Sequence, residues 1–266
     1  MILDSEVEAI DRESQLKYFT KPNGVTEWWN PEEGVYKNHY KRELTVLDER
    51  MIVKEGSRAL DLGTGKGRFA RYFAQRGCNC IAIDLNAQML EEAVSRARQD
   101  NLEDRIEFVQ SPVDVFLAEN RTSFDIISAM EFLDHYPDIE GLFSSVKSML
   151  SPDGTFIFSY VSSMSLYGTL FRLVMPKVKS GELRVATTYN PEYLENLLQH
   201  RGFEIQSFGV GICAIILREK ISTAIQKLLA VPIKIESAFK PYFSSRFFVK
   251  RCVHVVVIAK NKPKQL

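Results

Sequence analysis

The stretch that decides the fold of this chain runs Ser57-Arg58-Ala59-Leu60-Asp61-Leu62-Gly63-Thr64-Gly65-Lys66-Gly67-Arg68-Phe69-Ala70. The apolar run over residues 59–62 predicts a short buried strand, and apolar residues at helical spacing after the glycines predict a helix. Glycines at alternate positions permit a tight turn with positive φ and let a ligand approach the bare backbone. The following helix directs its free N–H groups towards that ligand. The stretch therefore predicts a strand–turn–helix unit that binds a small molecule.

Two phosphate-binding patterns do not fit this turn. In the dinucleotide pattern G-x-G-x-x-G, the third glycine would fall at Arg68, which is a large cation. A Walker loop needs Ser or Thr after its lysine, but Lys66 is followed by Gly67. The pattern that remains is D-x-G-x-G-x-G. Its acid, Asp61, would repel a phosphate and attract an ammonium group.

A second acidic residue ends the next predicted strand. The apolar run over residues 80–83 ends at Asp84, where a carboxylate can accept hydrogen bonds from the two hydroxyls of a ribose. An amino acid head, a ribose and no phosphate describe S-adenosylmethionine (SAM). The stretch resembles the first motif of the class I SAM-dependent methyltransferases, and Asp84 resembles their ribose-binding acid. The alternative is a Gly-rich turn that binds no ligand.

Composition narrows the class of protein. The chain has 266 residues, 45% of them hydrophobic, which is enough for one sizeable core. Its formal net charge is zero, which disfavours a nucleic-acid-binding surface, and no N-P-P-[YF] run follows the fourth predicted strand. The four cysteines have no zinc-like spacing, so we expect a reducing, cytoplasmic setting. The acidic N-terminus predicts no signal peptide, and no apolar run has the length of a membrane span.

Predicted strands and helices alternate from residue 57 onwards. The strands cover residues 58–62, 79–83, 105–109, 124–129, 155–161, 203–208 and 253–259, and the helices cover 67–77, 86–99, 113–119, 139–150 and 193–200. This alternation predicts an α/β fold, a doubly wound and mostly parallel seven-stranded sheet with helices on both faces. A Rossmann-like sheet of this kind binds ligands beyond the carboxyl ends of its strands.

The chain divides into a helical leader over residues 1–56 and a SAM-binding domain over residues 57–266. The leader has a predicted helix over 35–53. It also contains the pair Trp28-Trp29, which could form a lid over the pocket or attach the leader to the domain. Two insertions, 162–188 and 212–250, interrupt the domain, and the second begins with an apolar pattern typical of an amphipathic helix. The second insertion has an excess of cations. These could form the solvent-facing side of a lid, bind an anionic or carrier-bound substrate, or contact a membrane surface.

The fourth predicted strand ends at residue 129, within the segment Ser128-Ala129-Met130-Glu131-Phe132-Leu133-Asp134-His135-Tyr136-Pro137. This segment lies at the edge of the sheet where a methyl group would be presented. For a hydroxyl acceptor, the enzyme must position the oxygen and remove its proton. An imidazole with an ordinary pKa of about 6.5 is a usable base at neutral pH. We predict that His135 is the catalytic base; the alternative is a histidine that caps the turn or packs under the lid.

The same segment carries a candidate metal site. In an α-helix, the i, i+3, i+4 spacing of Glu131, Asp134 and His135 would place all three on one face. Two carboxylates and an imidazole suit Mg²⁺ or Mn²⁺, and such an ion would chelate a catechol and lower its hydroxyl pKa. The alternative is a solvated charged turn in which His135 acts alone.

Residues 105–110 and 130–138 are similar to the corresponding stretches of the ubiquinone-biosynthesis O-methyltransferases. Those enzymes carry M-E-x-L-E-H there and often a Trp-Trp pair in the leader; here Asp134 replaces the second Glu, and the similarity fades after residue 161. The resemblance implies a hydroxyl on an aromatic ring as methyl acceptor. It also implies adenosyl contacts from Met130 and the turn at 110–113. Arg42 is expected at the methionine carboxylate or, alternatively, exposed to solvent.

We therefore predict an enzyme that uses SAM to O-methylate a small, largely apolar hydroxyl compound, either aromatic, polyketide-like or quinone-type. The predicted cofactor contacts are Arg42, Asp61, Gly63, Thr64, Gly65, Gly67, Asp84, Leu85, Met89, Ser111, Pro112, Val113 and Met130. The alternatives are N- or C-methylation of a small molecule, or a protein that binds SAM without turnover. Membrane association is a less favoured prediction.

Overall fold

A computed structural model describes residues 37–166, 168–169, 188–211 and 242–262, together with residues 13, 16, 19 and 20. The helices with defined bounds are Lys37–Arg50 (α1), Arg68–Ala74 (α2), Ala87–Gln99 (α3), Val113–Glu119 (α4), Ile139–Met149 (α5), Pro191–His200 (α6) and Arg246–Val249 (α7). The strands are Arg58–Leu62 (β1), Asn79–Asp84 (β2), Ile106–Gln110 (β3), Phe124–Ala129 (β4), Leu150–Val161 (β5), Phe203–Val210 (β6) and His254–Asn261 (β7). Glu103–Arg105 and Leu133–His135 form 3-10 turns.

The seven strands form one sheet in the order β3-β2-β1-β4-β5-β7-β6. Strands β1 to β5 are parallel to one another, and β7 runs antiparallel between β5 and β6. This sheet confirms the predicted doubly wound α/β fold. The chain passes from β1 outwards to β2 and β3 and then crosses back to β4. The topological switch point, where such sheets bind ligands, therefore lies between β1 and β4.

Alternating side chains divide the core between the two faces of the sheet. On one face, Leu60 and Leu62 of β1 belong to a cluster with Phe156 and Phe158 of β5, whose rings stack at 4.9 Å between centroids. On the other face, Ala59 belongs to a cluster that includes Leu47 of α1 and Phe73 of α2. Because helices cover both faces, the site forms at the edge where the carboxyl ends of the strands meet.

Several predicted bounds differ from the structure. Strand β5 begins at Leu150, and its pairing with β4 changes register between Phe124 and Ile126, so the predicted turn at 151–154 lies inside the strand. The leader helix is shorter than predicted and corresponds to α1. Both tryptophans, the predicted helix after residue 212 and most of the insertion 162–188 lie outside the described residues. Within the described ranges, no helix combines the length and hydropathy needed to cross a bilayer.

Candidate active site

A cavity of about 390 Å³ lies beyond the carboxyl ends of β1, β2, β3 and β4. The predicted site residues in its wall are Asp61, Gly63, Thr64, Gly65, Asp84, Leu85, Met89, Ser111, Pro112, Val113, Met130, Glu131 and His135. Two predicted cofactor contacts, Gly67 and Arg42, are not part of this wall. Gly67 is the N-cap of α2, and a Cβ there would lie 3.0 Å from Ala93, whereas Arg42 is a half-buried residue of α1. The fold thus brings the separate predicted segments to one cavity.

The glycine turn has the conformation that its sequence requires. Gly63, Gly65 and Gly67 have φ values of +66°, +54° and +75°, which disfavour residues with a side chain. A Cβ at Gly63 would lie 2.3 Å from the ring of Phe132, so this glycine lets the aromatic ring pack on the turn. A Cβ at Gly65 would meet no atom within 4 Å, so bare backbone faces open space there. The turn therefore leaves room for a ligand directly over Gly65.

We expect Gly63→Ala to destabilise the protein more than Gly56→Ala does. Both glycines have positive φ, but a Cβ at Gly56 meets nothing within 4 Å. Gly56→Ala should therefore reduce the free energy of unfolding by about 1 to 2 kcal/mol through backbone strain alone. Gly63→Ala should cost about 1 to 3 kcal/mol more because the Phe132 ring must move. Urea denaturation of both variants measures this difference, and equal losses would contradict the packing role assigned to Gly63.

Asp61 anchors the turn to the neighbouring strand. Its carboxylate accepts hydrogen bonds from the Thr64 hydroxyl and the Ser128 hydroxyl, both at 2.6 Å. Burial raises the pKa of Asp61 to about 6, while these two hydrogen bonds oppose the rise. The side chain is therefore mainly ionised at neutral pH. It lies in the cavity wall, so an ammonium contact stays a prediction alongside the anchoring role.

Asp84 ends β2 with both carboxylate oxygens held by backbone N–H groups. Gly65 N–H donates to Oδ2 and Asn86 N–H donates to Oδ1, each at 2.8 Å. Burial raises the pKa of Asp84, while the backbone N–H groups oppose the rise. A carboxylate has about four acceptor positions, so Asp84 can still accept a hydrogen bond from a ligand beside its bonds to the backbone. The pair of oxygens beside the open space at Gly65 fits the two hydroxyls of a ribose.

Three cations in the cavity wall, Lys66, Arg68 and Arg96, were not predicted as site residues. Lys66 and Arg96 pair with Glu92 at 2.9 and 2.5 Å, and Arg68 pairs with Glu43 at 2.8 Å. Because all three cations are paired with carboxylates, the wall is a poor binding surface for phosphate.

The segment after β4 is not an α-helix, so the geometric premise of the predicted metal site is wrong. Glu131 has a left-handed backbone with φ of +55°, and only Leu133–His135 forms a 3-10 turn. Asp134 is buried, and both of its carboxylate oxygens accept from the Val161 N–H, at 3.0 and 3.2 Å. His135 lines the cavity, with its ring 5.2 Å from that of Phe19 in an edge-on contact.

Glu131 belongs to a different cluster from the one predicted. Within the described part of the chain, the metal-type ligand atoms that lie within 4.8 Å of one another come from Glu43, Glu131 and His254. His254 Nδ1 lies 2.8 Å from Glu131 Oε1. Glu43 is on α1 and His254 begins β7, so no local sequence pattern relates either residue to Glu131. The set Glu131, Asp134 and His135 is not brought together in this way.

We expect Asp134→Asn to remove a pH-dependent loss of stability. Burial raises the pKa of Asp134 from 3.8 to about 7. Between these pH values the unfolded chain has released this proton and the folded chain retains it, so a rise in pH favours unfolding. The free energy of unfolding falls by at most about 1.4 kcal/mol per pH unit, and this fall ends above about pH 7. Asparagine still accepts from Val161, so the variant should gain stability relative to wild type as the pH rises.

Urea denaturation between pH 5 and pH 8 measures this effect. The Asp153→Asn variant, at an exposed position, is the control for replacing one carboxyl by an amide. Parallel curves for Asp134→Asn and wild type would show that the buried carboxyl does not titrate as described.

The sheet, the glycine turn and the two aspartates together define a SAM-dependent methyltransferase with a Rossmann-like fold. Residues 36–207 match the family described as a methyltransferase domain, and the chain belongs to that family. Ubiquinone biosynthesis O-methyltransferase of Psychrobacter cryohalolentis is 28% identical over an alignment of 178 positions that covers 60% of this chain and 68% of that protein. The enzyme of the same name from Acinetobacter baumannii strain AYE is 28% identical over 140 residues, 52% of this chain and 59% of that protein.

Solved structures show the same fold. Magnesium protoporphyrin IX methyltransferase from Synechocystis PCC 6803, with bound S-adenosylhomocysteine, superposes with a TM-score of 0.63 at 16% identity, covering 95% of this chain and 100% of that chain. Phosphoethanolamine N-methyltransferase 2 of Haemonchus contortus, in complex with SAM, gives a TM-score of 0.56 at 21% identity, covering 85% of this chain and 53% of that chain. At these identities the likeness is one of fold. SAM is the cofactor, and the space over Gly65 and the oxygens of Asp84 fit it.

Proposed function

We propose that this enzyme transfers the methyl group of SAM to a hydroxyl of a small, largely apolar acceptor, aromatic or polyketide-like. The observation that carries the proposal is that His135 lines the same cavity as Gly65 and Asp84. An imidazole beside the cofactor site suits a hydroxyl acceptor, because such an acceptor must lose a proton. The relatives named as ubiquinone biosynthesis O-methyltransferases support the same kind of acceptor.

Some residues of the site are proposed to bind the cofactor, and His135 is proposed to transfer the proton. When bound, the cofactor supplies an electrophilic methyl group on a positively charged sulfur. Asp84 would accept hydrogen bonds from the ribose, and the turn from Gly63 to Gly65 would hold the amino acid part. His135 takes the proton of the acceptor hydroxyl, which makes its oxygen a better nucleophile. Met89 and Val113, both buried, provide apolar contacts.

Aromatic side chains in the wall support an aromatic acceptor. Phe132 and Tyr136 lie with ring centroids 5.1 Å apart, and Phe19 approaches from the leader. The Asn86 amide donates a hydrogen bond to the Phe19 carbonyl, at 2.6 Å, and fixes Phe19 beside the cavity. Flat apolar surfaces of this kind bind rings by offset or edge-on contacts. We infer that Leu16 and Phe19, which both line the cavity, contact the acceptor.

A methylation assay with a panel of acceptors tests the proposal. The panel contains alkylphenols, alkylcatechols, polyketide-like enols and aliphatic and aromatic amines, each offered free and, where chemically accessible, attached to a carrier protein. We expect methyl ethers as products. N- or C-methylated products would contradict O-methylation, and SAM binding with no product across the panel would indicate a protein without turnover. We also propose a reducing, cytoplasmic setting, as predicted from the cysteine spacing.

A further inference from the structure

Arg68 is a cation of the cavity wall whose buried guanidinium is only partly satisfied. Its side chain is 11% exposed and lines the cavity. Nη2 donates a hydrogen bond to Glu43 Oε2 at 2.8 Å. Nη1 is also buried, but it has no hydrogen-bond partner within the described part of the chain. Buried donors without an acceptor are rare in native proteins, so a charged one in a ligand cavity indicates a donor for the ligand.

The groups around the guanidinium hold it in a fixed position. Its central carbon lies 4.2 Å from the ring centroid of Tyr40 on α1 and 4.2 Å from that of Phe69 on α2. Cations bind over the faces of such rings, and Glu43 fixes the Nη2 side of the same group. A planar donor that is already held loses little freedom when it binds a ligand. Arg68 is therefore a preorganised donor for an anionic group.

The charge of Arg68 remains available to a ligand although Glu43 contacts it. Burial and the nearby Glu131 carboxylate raise the pKa of Glu43 to about 8, against the opposing effect of Arg68. Glu43 is therefore mainly protonated at neutral pH, and a protonated carboxyl still accepts a hydrogen bond from Nη2. The remaining nitrogen, Nη1, suits the single charge of a carboxylate better than a phosphate, which would need several donors.

We propose that Arg68 binds the carboxylate of the methionine part of SAM through Nη1. Arg68 is the first residue of α2, directly after the glycine turn that would hold this part of the cofactor. The carboxylate is the one anionic group of SAM. Arg42, which the sequence predicts at this carboxylate, is not part of the cavity wall. The inference rests on the proposed place of the amino acid part over the turn, and it holds for any methyl acceptor.

Two ligands that differ only in the carboxylate test the inference without turnover. The full-length protein is titrated calorimetrically with S-adenosylhomocysteine and with its decarboxylated analogue. We expect wild type to bind S-adenosylhomocysteine about 10- to 100-fold more tightly, as for a hydrogen bond between charged groups. Arg68→Gln should reduce that preference to about threefold or less, because the amide has no charge. Arg68→Lys keeps the charge without the planar fork and should lie between. The exposed Arg98→Gln variant is the matched control and should keep the wild-type preference.

The decarboxylated analogue also separates ligand binding from a merely structural role of Arg68. If Arg68 only joined α1 to α2, Arg68→Gln would weaken both ligands equally, and the unchanged preference would overturn the inference. Equal binding of the two ligands by wild type would also overturn it, as would a preference lost in Arg42→Gln and kept in Arg68→Gln. Wild type and Arg68→Lys remain decisive if Arg68→Gln does not fold. Absence of S-adenosylhomocysteine binding by wild type would instead contradict the cofactor site as a whole.

Discussion

Replacing His135 with alanine is expected to lower the rate of methyl transfer by about two to four orders of magnitude. The imidazole lies in the wall of the cavity that holds the glycine turn and Asp84. Its removal takes away the group that accepts the hydroxyl proton, but it leaves the cofactor contacts in place. The affinity for S-adenosylhomocysteine should therefore stay within about threefold of wild type, since only kcat depends on the base. Single-turnover methylation and calorimetric titration measure the two quantities separately.

His200→Ala is the matched control for this prediction. His200 is exposed and ends α6, away from the cavity wall, so its removal should leave both rate and affinity unchanged. Full turnover by His135→Ala on a hydroxyl acceptor would exclude this residue as the base. Loss of cofactor affinity in step with loss of rate would instead assign His135 a role in holding the wall together.

Replacing Asp84 with alanine is expected to weaken S-adenosylhomocysteine binding by about 100-fold or more. The carboxylate would contribute two hydrogen bonds to the ribose, each worth about 1.5 kcal/mol or more because the acceptor is charged. It also holds the N–H groups of Gly65 and Asn86, so the variant additionally loosens the turn. Calorimetric titration of the variant against wild type measures the loss directly.

Asp84→Asn separates these two contributions. Asparagine retains one oxygen for a backbone N–H but loses the charge, so its affinity should fall between those of wild type and Asp84→Ala. Asp153→Ala, in an exposed position of β5, is the control and should bind like wild type. An affinity of Asp84→Ala within about threefold of wild type would remove the ribose role from this residue.

The part of the site that is local in sequence could be predicted from the sequence. The glycines at 63, 65 and 67 require positive φ, and that requirement follows from their spacing after an apolar strand. Asp61 and Asp84 end neighbouring parallel strands, so their carboxyl ends must meet at one edge. The fold follows from the same local alternation of strands and helices. These features depend on short-range rules, and the structure has all of them.

The part that depends on long-range pairing could not be predicted. His254 reaches Glu131 because β7 runs antiparallel beside β5, and nothing in the spacing of either segment specifies that neighbour. Glu43 lies on a leader helix whose direction the sequence leaves open. The predicted metal set failed for a related reason: its spacing presumed an α-helix, whereas Glu131 adopts a left-handed backbone and Asp134 turns to the Val161 N–H. Residue types alone did not distinguish these arrangements.

The most direct test of the account is a crystal structure of the protein with S-adenosylhomocysteine. We expect the ribose hydroxyls within hydrogen-bonding distance of the Asp84 carboxylate and the amino acid part over the turn from Gly63 to Gly65. Nucleoside bound elsewhere, or a dinucleotide in that space with its phosphates over the glycines, would contradict it.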